Sequence, residues 1–265
     1  MSDELEGKHG VQSLEVGMGI LRAMVNGHRS MMLKDIAAAA EMPPSKAHRY
    51  LVSLIRAGLV EQDPMTSRYD LGPFALNIGL VAIDRLDRIR VGLSAIAELR
   101  DEINETTALA VWSERGPVIV RWERPRRPIT VNVVTGTALD LLTSASGRIF
   151  AAHLPKATVD PLIERELATT QLPADIRSRK DVDRILDEVR RSGISGVSGY
   201  HLVPGVEAVG APVFNFKNEI TIVMLVVGVQ GMFDTDPEGP VVQALQRAAG
   251  ALSLRLGYTG ATAGD

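Results

Sequence analysis

The chain of 265 residues predicts an α+β fold in two domains: a winged helix-turn-helix, a helical linker, and a larger mixed domain. Three observations carry that expectation. Residues 33–72 read as two short helices around a tight turn, followed by two short strands. Residues 84–90, Asp-Arg-Leu-Asp-Arg-Ile-Arg, form a charge run of the kind carried on a solvated linker face. Beyond it, strands gather at both ends of the remaining sequence with helices between them, the order of an α+β domain.

Residues 12–25 form a first amphipathic helix, with Leu14, Met18, Leu21 and Val25 expected on one buried stripe and Asn26-Gly27 ending it. Residues 33–40 form a short alanine-rich helix whose small side chains let another helix cross closely. The turn Glu41-Met42-Pro43 breaks it, because proline cannot continue the ladder. Pro44 suits the first position of the next helix, where its missing N–H is no loss. Ala47, Leu51, Leu54 and Ile55 recur there at the spacing of one buried stripe, with Tyr50 expected in the core, and the outer face carries Ser45, Lys46 and Arg49. Gly58 stops that helix, and Asp63-Pro64-Met65-Thr66-Ser67 supplies the turn between the hairpin strands. The result is a helix built to show a polar, basic face from a winged helix-turn-helix, the form that enters a DNA groove.

Pro73 opens a helix expected to run to about Arg90. A helix at residues 92–104 follows, then strands at 108–113, 118–123 and 129–134, helices at 144–153, 159–168 and 181–192, strands at 207–213 and 219–229, and a closing helix at 241–256. The expected domains are therefore 10–72, the linker 73–90, and 91–258, with a disordered tail at 259–265.

Charge and composition narrow the function. The net charge of −3 excludes a general polyanion binder, yet between Ile20 and Tyr69 seven basic side chains stand against four acidic ones, and none is acidic from Met42 to Val60. DNA affinity would then come from a local patch and fall steeply with salt. There are no cysteines, so neither disulfides nor thiolate metal ligands arise, and the five histidines never recur at metal-ligand spacing. Residues 1–9 lack the apolar core of a secretion signal, and the apolar run 220–229 is too short to span a bilayer as a helix. Its β-branched residues argue for a central buried strand. A cytoplasmic protein with no membrane contact is expected.

Met-Pro-Pro-Ser-Lys-Ala-His-Arg-Tyr-Leu at 42–51, Gly-Leu-Val-Glu at 58–61 and Ser-Arg-Tyr-Asp-Leu-Gly at 67–72 together resemble the N-terminal domain of the isocitrate lyase regulator (IclR) family of bacterial transcription factors. Independently, Leu-Thr-Ser-Ala-Ser-Gly-Arg-Ile-Phe-Ala-Ala-His-Leu-Pro at 142–155, Arg-Arg-Ser-Gly-Ile at 190–194, Val-Pro-Gly-Val at 203–206 and Val-Gly-Ala-Pro-Val at 209–213 fall where the family's effector domain has related motifs. The resemblance covers nearly the whole chain. It implies a GAF-like effector-binding domain built on a curved antiparallel sheet. One recognition helix reads only a few base pairs and so demands at least a homodimer, to which the resemblance adds tetramers through the effector domains.

Carried over by position, the resemblance implies an effector site in which Ala145, Ser146 and Gly147 present backbone N–H groups at a helix start, chemistry suited to a carboxylate. Ser198, Val206 and Ala208 would line the side, with Leu225 and Val227 on the facing strand. Ala208 stands where relatives often carry cysteine, Tyr200-His201 where they often carry acidic residues, and the last strand is apolar where others place serines. These departures favour a larger, partly aromatic or hydrophobic carboxylate over a very small polar acid. Trp112 and Trp122 either wall that cavity or pack as core.

For a double-stranded DNA operator the candidate contacts are Ser45, Lys46, His48, Arg49, Arg68 and Tyr69. Ser45 has helix capping as an alternative, His48 local packing, and Tyr69 packing within the hairpin. An enzyme is not expected: Gly-Val-Ser-Gly-Tyr at 196–200 lacks the last glycine of a nucleophile elbow, and Gly-Met-Gly-Ile-Leu-Arg at 17–22 lacks the third glycine of a dinucleotide loop. No cofactor or metal is expected. The reading is a sequence-specific transcriptional regulator, repressor or activator, modulated by a small-molecule effector; the alternative is a sensor whose winged helix binds a protein.

Overall fold

The computed structural model describes residues 10–27, 30–84, 87–126, 135–169, 172–198, 205–232 and 234–260. The strand expected at 129–134, the departures at Tyr200-His201 and the end of the tail lie outside them. The chain divides into two compact units, residues 1–86 and 87–265.

In the first unit, α1 (Gln12–Asn26), α2 (Leu33–Ala39) and α3 (Pro44–Arg56) pack around one core of Ile20, Met24, Met31, Ile36, Ala37, Ala47, Leu51, Val60 and Tyr69. The α1 stripe differs from expectation. Leu14, Met18 and Val25 lie outward, while Gly17, Ile20, Ala23 and Met24 face the core. Both sets recur at helical spacing; the inward one carries Gly17, a small site against which the Tyr50 ring sits. Periodicity alone does not choose between two apolar faces of one helix.

Ala40 to Pro43 make the turn between α2 and α3, closed by the Met42 N–H donating to the Ala37 carbonyl at 2.9 Å, with Glu41 in the left-handed region at φ 52°. After α3, Gly58 takes φ 71°, a conformation that favours glycine. β1 (Val60–Gln62) and β2 (Tyr69–Leu71) then pair antiparallel, and Met31 bridges Tyr69 by two backbone hydrogen bonds of 2.8 and 3.0 Å. The hairpin is thereby pinned to the segment before α2. α4 (Pro73–Asp84) closes the unit with Phe74, Leu76, Ile78, Leu80 and Val81 all exposed.

The single helix expected from Pro73 to Arg90 is interrupted. α4 ends at Asp84 and α5 (Arg88–Ile103) starts afresh, its N-cap Asp87 accepting hydrogen bonds from the Ile89 and Arg90 N–H groups. The charge run thus contains a helix start, which an Asp directly before a helical apolar pattern signals.

The second unit is built on a five-stranded antiparallel sheet in the order β4-β3-β7-β6-β5. Its strands are β3 (Thr106–Ser113), β4 (Gly116–Glu123), β5 (Ser195–Ser198), β6 (Val206–Phe214) and β7 (Ile220–Val229). β7 is central and buried on both faces, the reason it reads as an uninterrupted apolar run. Ile222 lies beside Gly92 of α5, and the strand also contacts α9 (Pro240–Arg255); Val223, Leu225 and Val227 lie with α6 (Ala145–His153). α7 (Lys156–Thr169) and α8 (Arg179–Ser192) complete the α6 layer, with Val159, Ile163, Val182, Leu186 and Val189 in the same core. Buried hydroxyls tie the layers together: Thr107 Oγ1 donates to the Ile96 carbonyl at 2.7 Å, and Ser253 Oγ accepts from the Phe214 N–H at 3.1 Å.

β5 was not expected. It is an edge strand of four residues pairing with β6 only as far as Gly210, so residues 211–214 of β6, Pro212 among them, run past its cover. Register shifts at Leu109/Ala110 and Val213/Phe214 mark bulges, which bend strands locally.

Candidate functional site

The N-terminal surface is set by α3. Its N-cap is Pro43, which has no side-chain acceptor, so Ser45 does not cap the helix. Ala47 and Leu51 are fully buried, and this orients the opposite face: Ser45, Lys46, His48, Arg49 and Ser53 are all exposed. His48 is thus on the outer face rather than between the two. Ser53, one turn beyond Arg49, extends the same polar stripe and was missed by sequence reasoning; its i+4 relation to Arg49 is the signal that marks it.

Two hairpin candidates change their meaning. Tyr69 is 4% exposed, a member of the core held between Met31 and the helices, and is therefore withdrawn from the exposed candidates. Period-2 alternation in a three-residue strand that pairs on both edges sends Tyr69 inward and Arg68 and Asp70 outward. Arg68 is exposed, with its Nη1 donating to the Ser30 carbonyl at 3.0 Å.

In the second unit the α6 start is assembled by short-range hydrogen bonds. Ser144 is the N-cap: its Oγ accepts from the Gly147 N–H at 2.9 Å and donates to the Asp140 carbonyl at 2.6 Å. The Gly147 N–H is therefore committed to the cap, leaving Ala145 and Ser146 as the first-turn donors free of it. Gly147 has a steric role, since a Cβ there would run into the carbonyl oxygens of Asp140 and Leu141. Glu166 reaches from α7, buried, and its carboxylate accepts from the Leu141 and Leu142 N–H groups at 2.6 and 2.9 Å. Burial raises its pKa, although the two backbone donors oppose that shift. Arg148 Nε donates to the Leu142 carbonyl at 2.8 Å, so the turn before α6 is held from three sides. No sequence pattern pointed to Glu166, which lies 25 and 24 residues from its partners Leu141 and Leu142.

Ala145, Leu225 and Val227 share one apolar cluster, and Val206 and Ala208 pack against it beside Trp112 and Trp122. Ser146 is fully buried at the same helix start. Ser198 does not join them. It pairs with Glu207 and hydrogen-bonds its carboxylate at 3.2 Å, on the face opposite Val206 and Ala208; Val197 takes the inward position. Trp112 lies 5.6 Å from Phe150, ring centre to ring centre, and the Trp122 indole N–H is buried without a partner among the described residues. Also among the described residues, no group of three or more His, Asp or Glu side chains gathers to hold a metal ion, and no helix is long and apolar enough to cross a membrane.

With this geometry in place, comparison with known proteins is decisive. Residues 13–64 match the IclR helix-turn-helix domain and residues 81–254 match the bacterial transcriptional regulator IclR C-terminal domain. The chain belongs to the IclR family. The crystal structure of HmgR from Pseudomonas aeruginosa is 39% identical, covers 95% of this chain and all of that one, and superposes with a TM-score of 0.86. The transcriptional regulator KipR from Bacillus subtilis is 24% identical over 87% of this chain and 91% of its own length. An IclR homologue from Microbacterium hydrocarbonoxydans, crystallised with 4-hydroxybenzoate, shares the fold at 18% identity and a TM-score of 0.54 over 92% of this chain and 99% of that one. IclR-family proteins are transcriptional regulators with a helix-turn-helix that binds DNA, not enzymes.

Proposed function

We propose that this IclR-family regulator binds a double-stranded operator in the cytoplasm as a homodimer, and that a small organic acid bound on the α6 side of the sheet alters its operator affinity. The observation that carries the DNA half is the outer face of α3, where Ser45, Lys46, His48 and Arg49 stand exposed over a buried Ala47 and Leu51. Ser45 and Lys46 lie in the first turn, which meets the groove, and Arg49 reaches either a guanine edge or a phosphate. Arg68 adds a contact from the hairpin.

The effector half rests on the first turn of α6 set above Val206, Ala208, Leu225 and Val227. A helix N-terminus favours a carboxylate and an apolar floor favours a ring or aliphatic body. The 4-hydroxybenzoate complex of the Microbacterium hydrocarbonoxydans homologue supplies a molecule of that type. As units, residues 10–72 bind DNA, 73–90 link and 91–258 sense.

The test is a duplex-binding titration at several salt concentrations with wild type and Arg49→Ala. We expect the wild type to lose affinity steeply with salt and Arg49→Ala to lose about 1–3 kcal/mol of binding at fixed salt. Salt-independent binding, or full affinity in the variant, overturns the DNA assignment and favours a protein partner.

A further inference from the structure

The hairpin between β1 and β2 has the position of a wing but not the charge of one. Residues 60–71 carry Glu61, Asp63 and Asp70 against Arg68 alone, whose Nη1 donates to the Ser30 carbonyl. Such a surface does not grip phosphates by charge. What it offers instead is at its tip. Met65 is 91% exposed, the most exposed of the large apolar side chains among the described residues.

A lone exposed apolar residue on a mobile loop would need no explanation. This one stands on a fixed turn. The Asp63 carboxylate accepts from the Met65 N–H at 2.8 Å, the Thr66 N–H at 3.4 Å and the Thr66 hydroxyl at 2.7 Å. The Ser67 N–H donates to the Asp63 carbonyl at 2.8 Å, the Asp63 N–H to the Arg68 carbonyl at 2.9 Å, and Gln62 Nε2 to the Ser67 carbonyl at 3.2 Å. Those local donors hold the Asp63 carboxyl below its ordinary pKa, so the turn is held together by an ionised carboxylate. The hairpin follows directly on α3, with the Leu59 N–H bonded to the Leu54 carbonyl at 3.0 Å. Met65 is therefore a pre-positioned apolar side chain beside the helix that meets the major groove.

We propose that Met65 enters the minor groove flanking the α3 footprint and wedges into a flexible pyrimidine–purine step there. Apolar side chains that insert between base pairs read how easily a step opens, not its hydrogen-bonding edge. Met65 then contributes sequence preference without adding a phosphate contact of its own.

The proposal rests on the DNA-binding reading of α3, and the experiment separates the two. Wild type and Met65→Ala, both full length, are each used to select duplexes from a random pool, and affinities are measured on the wild-type selection. Because Met65 is almost wholly exposed, the substitution leaves the fold intact, which circular dichroism checks. We expect at least a tenfold loss for Met65→Ala with the same salt slope, loss of preference at the flanking step, and 2-aminopurine brightening at that step only with wild type. Met65→Ala binding within twofold of wild type and selecting the same flanks overturns the wedge alone. A gain of affinity and a steeper salt slope in Met65→Lys also overturns it, by showing a wing that lies against phosphates. A wild type that selects no duplex overturns both readings.

Discussion

Gly147 stands at the start of α6, and its structural role there is steric as well as hydrogen-bonding. Its N–H caps to Ser144, and its missing Cβ lets α6 start against the carbonyls of Asp140 and Leu141. Gly147→Ala puts a methyl group into backbone that has no flexible end to move away. We expect a loss of about 1–3 kcal/mol in denaturant unfolding, together with loss of any stabilisation by an aromatic carboxylate. Unchanged stability would mean that the turn before α6 shifts freely despite the Glu166 and Arg148 bonds. The position of Gly147 was legible because it sits in a family motif; its role was not, because the crowding comes from a non-helical segment whose path no periodicity describes. Arg49 is the opposite case. Its outward direction follows from Ala47 and Leu51 by helical spacing, so it could be read directly from the sequence.

Elements whose two faces differ were legible, and those whose faces resemble one another were not. α8 alternates Val182, Leu186 and Val189 with charge and could be placed from pattern alone, whereas α1 carries two apolar stripes and the outward one was chosen. β5 escaped because Ser-Gly-Val-Ser has neither length nor alternation, and without it Ser198 could not be assigned to the far face. The end of α6 adds a titration. His153 meets the Phe214 ring edge-on at 5.1 Å, and Phe214 stacks on Tyr258 at 5.2 Å. A cation at a helix C-terminus gains roughly 0.3–1 kcal/mol. Burial first, and the Arg190 charge second, outweigh that and lower the His153 pKa. Since the unfolded imidazole takes up its proton at about pH 6.5 and the folded one at lower pH, stability is full above that value and lost as pH falls below it. Wild type should therefore lose stability relative to His153→Leu between pH 7 and 5; parallel unfolding midpoints across that range would refute it.

For the molecule as a whole, the unexplained feature is the set of exposed apolar side chains on α1 and α4 of the first unit. Leu14 and Val25 on α1 and Leu76 and Leu80 on α4 are each more than half exposed, an arrangement that a monomer in water does not favour. One recognition helix reads only a few base pairs, so a second copy that covered the α4 residues would also serve specificity. Leu76→Glu should shift sedimentation toward the monomer and weaken binding to a two-site duplex by at least tenfold, while leaving the melting of each unit unchanged. A variant that still sediments with the wild type removes α4 from the contact. The two-unit plan and the family were legible because independent motifs lie along the chain in one order. That Leu76 and Leu80 stay exposed was not, since exposure is a property of packing and not of composition.

The stretch of β6 beyond Gly210, left unpaired by β5 and with its Phe214 N–H already bonded to Ser253 Oγ, has a consequence for handling the protein. A bare strand flank is a template on which identical chains can stack into fibrils. Proline persists within a sheet where its absent donor falls on the open side. Pro212 thus spoils the ladder a newcomer would need, and concentrated stocks should stay clear where a valine at that spot would invite gelation.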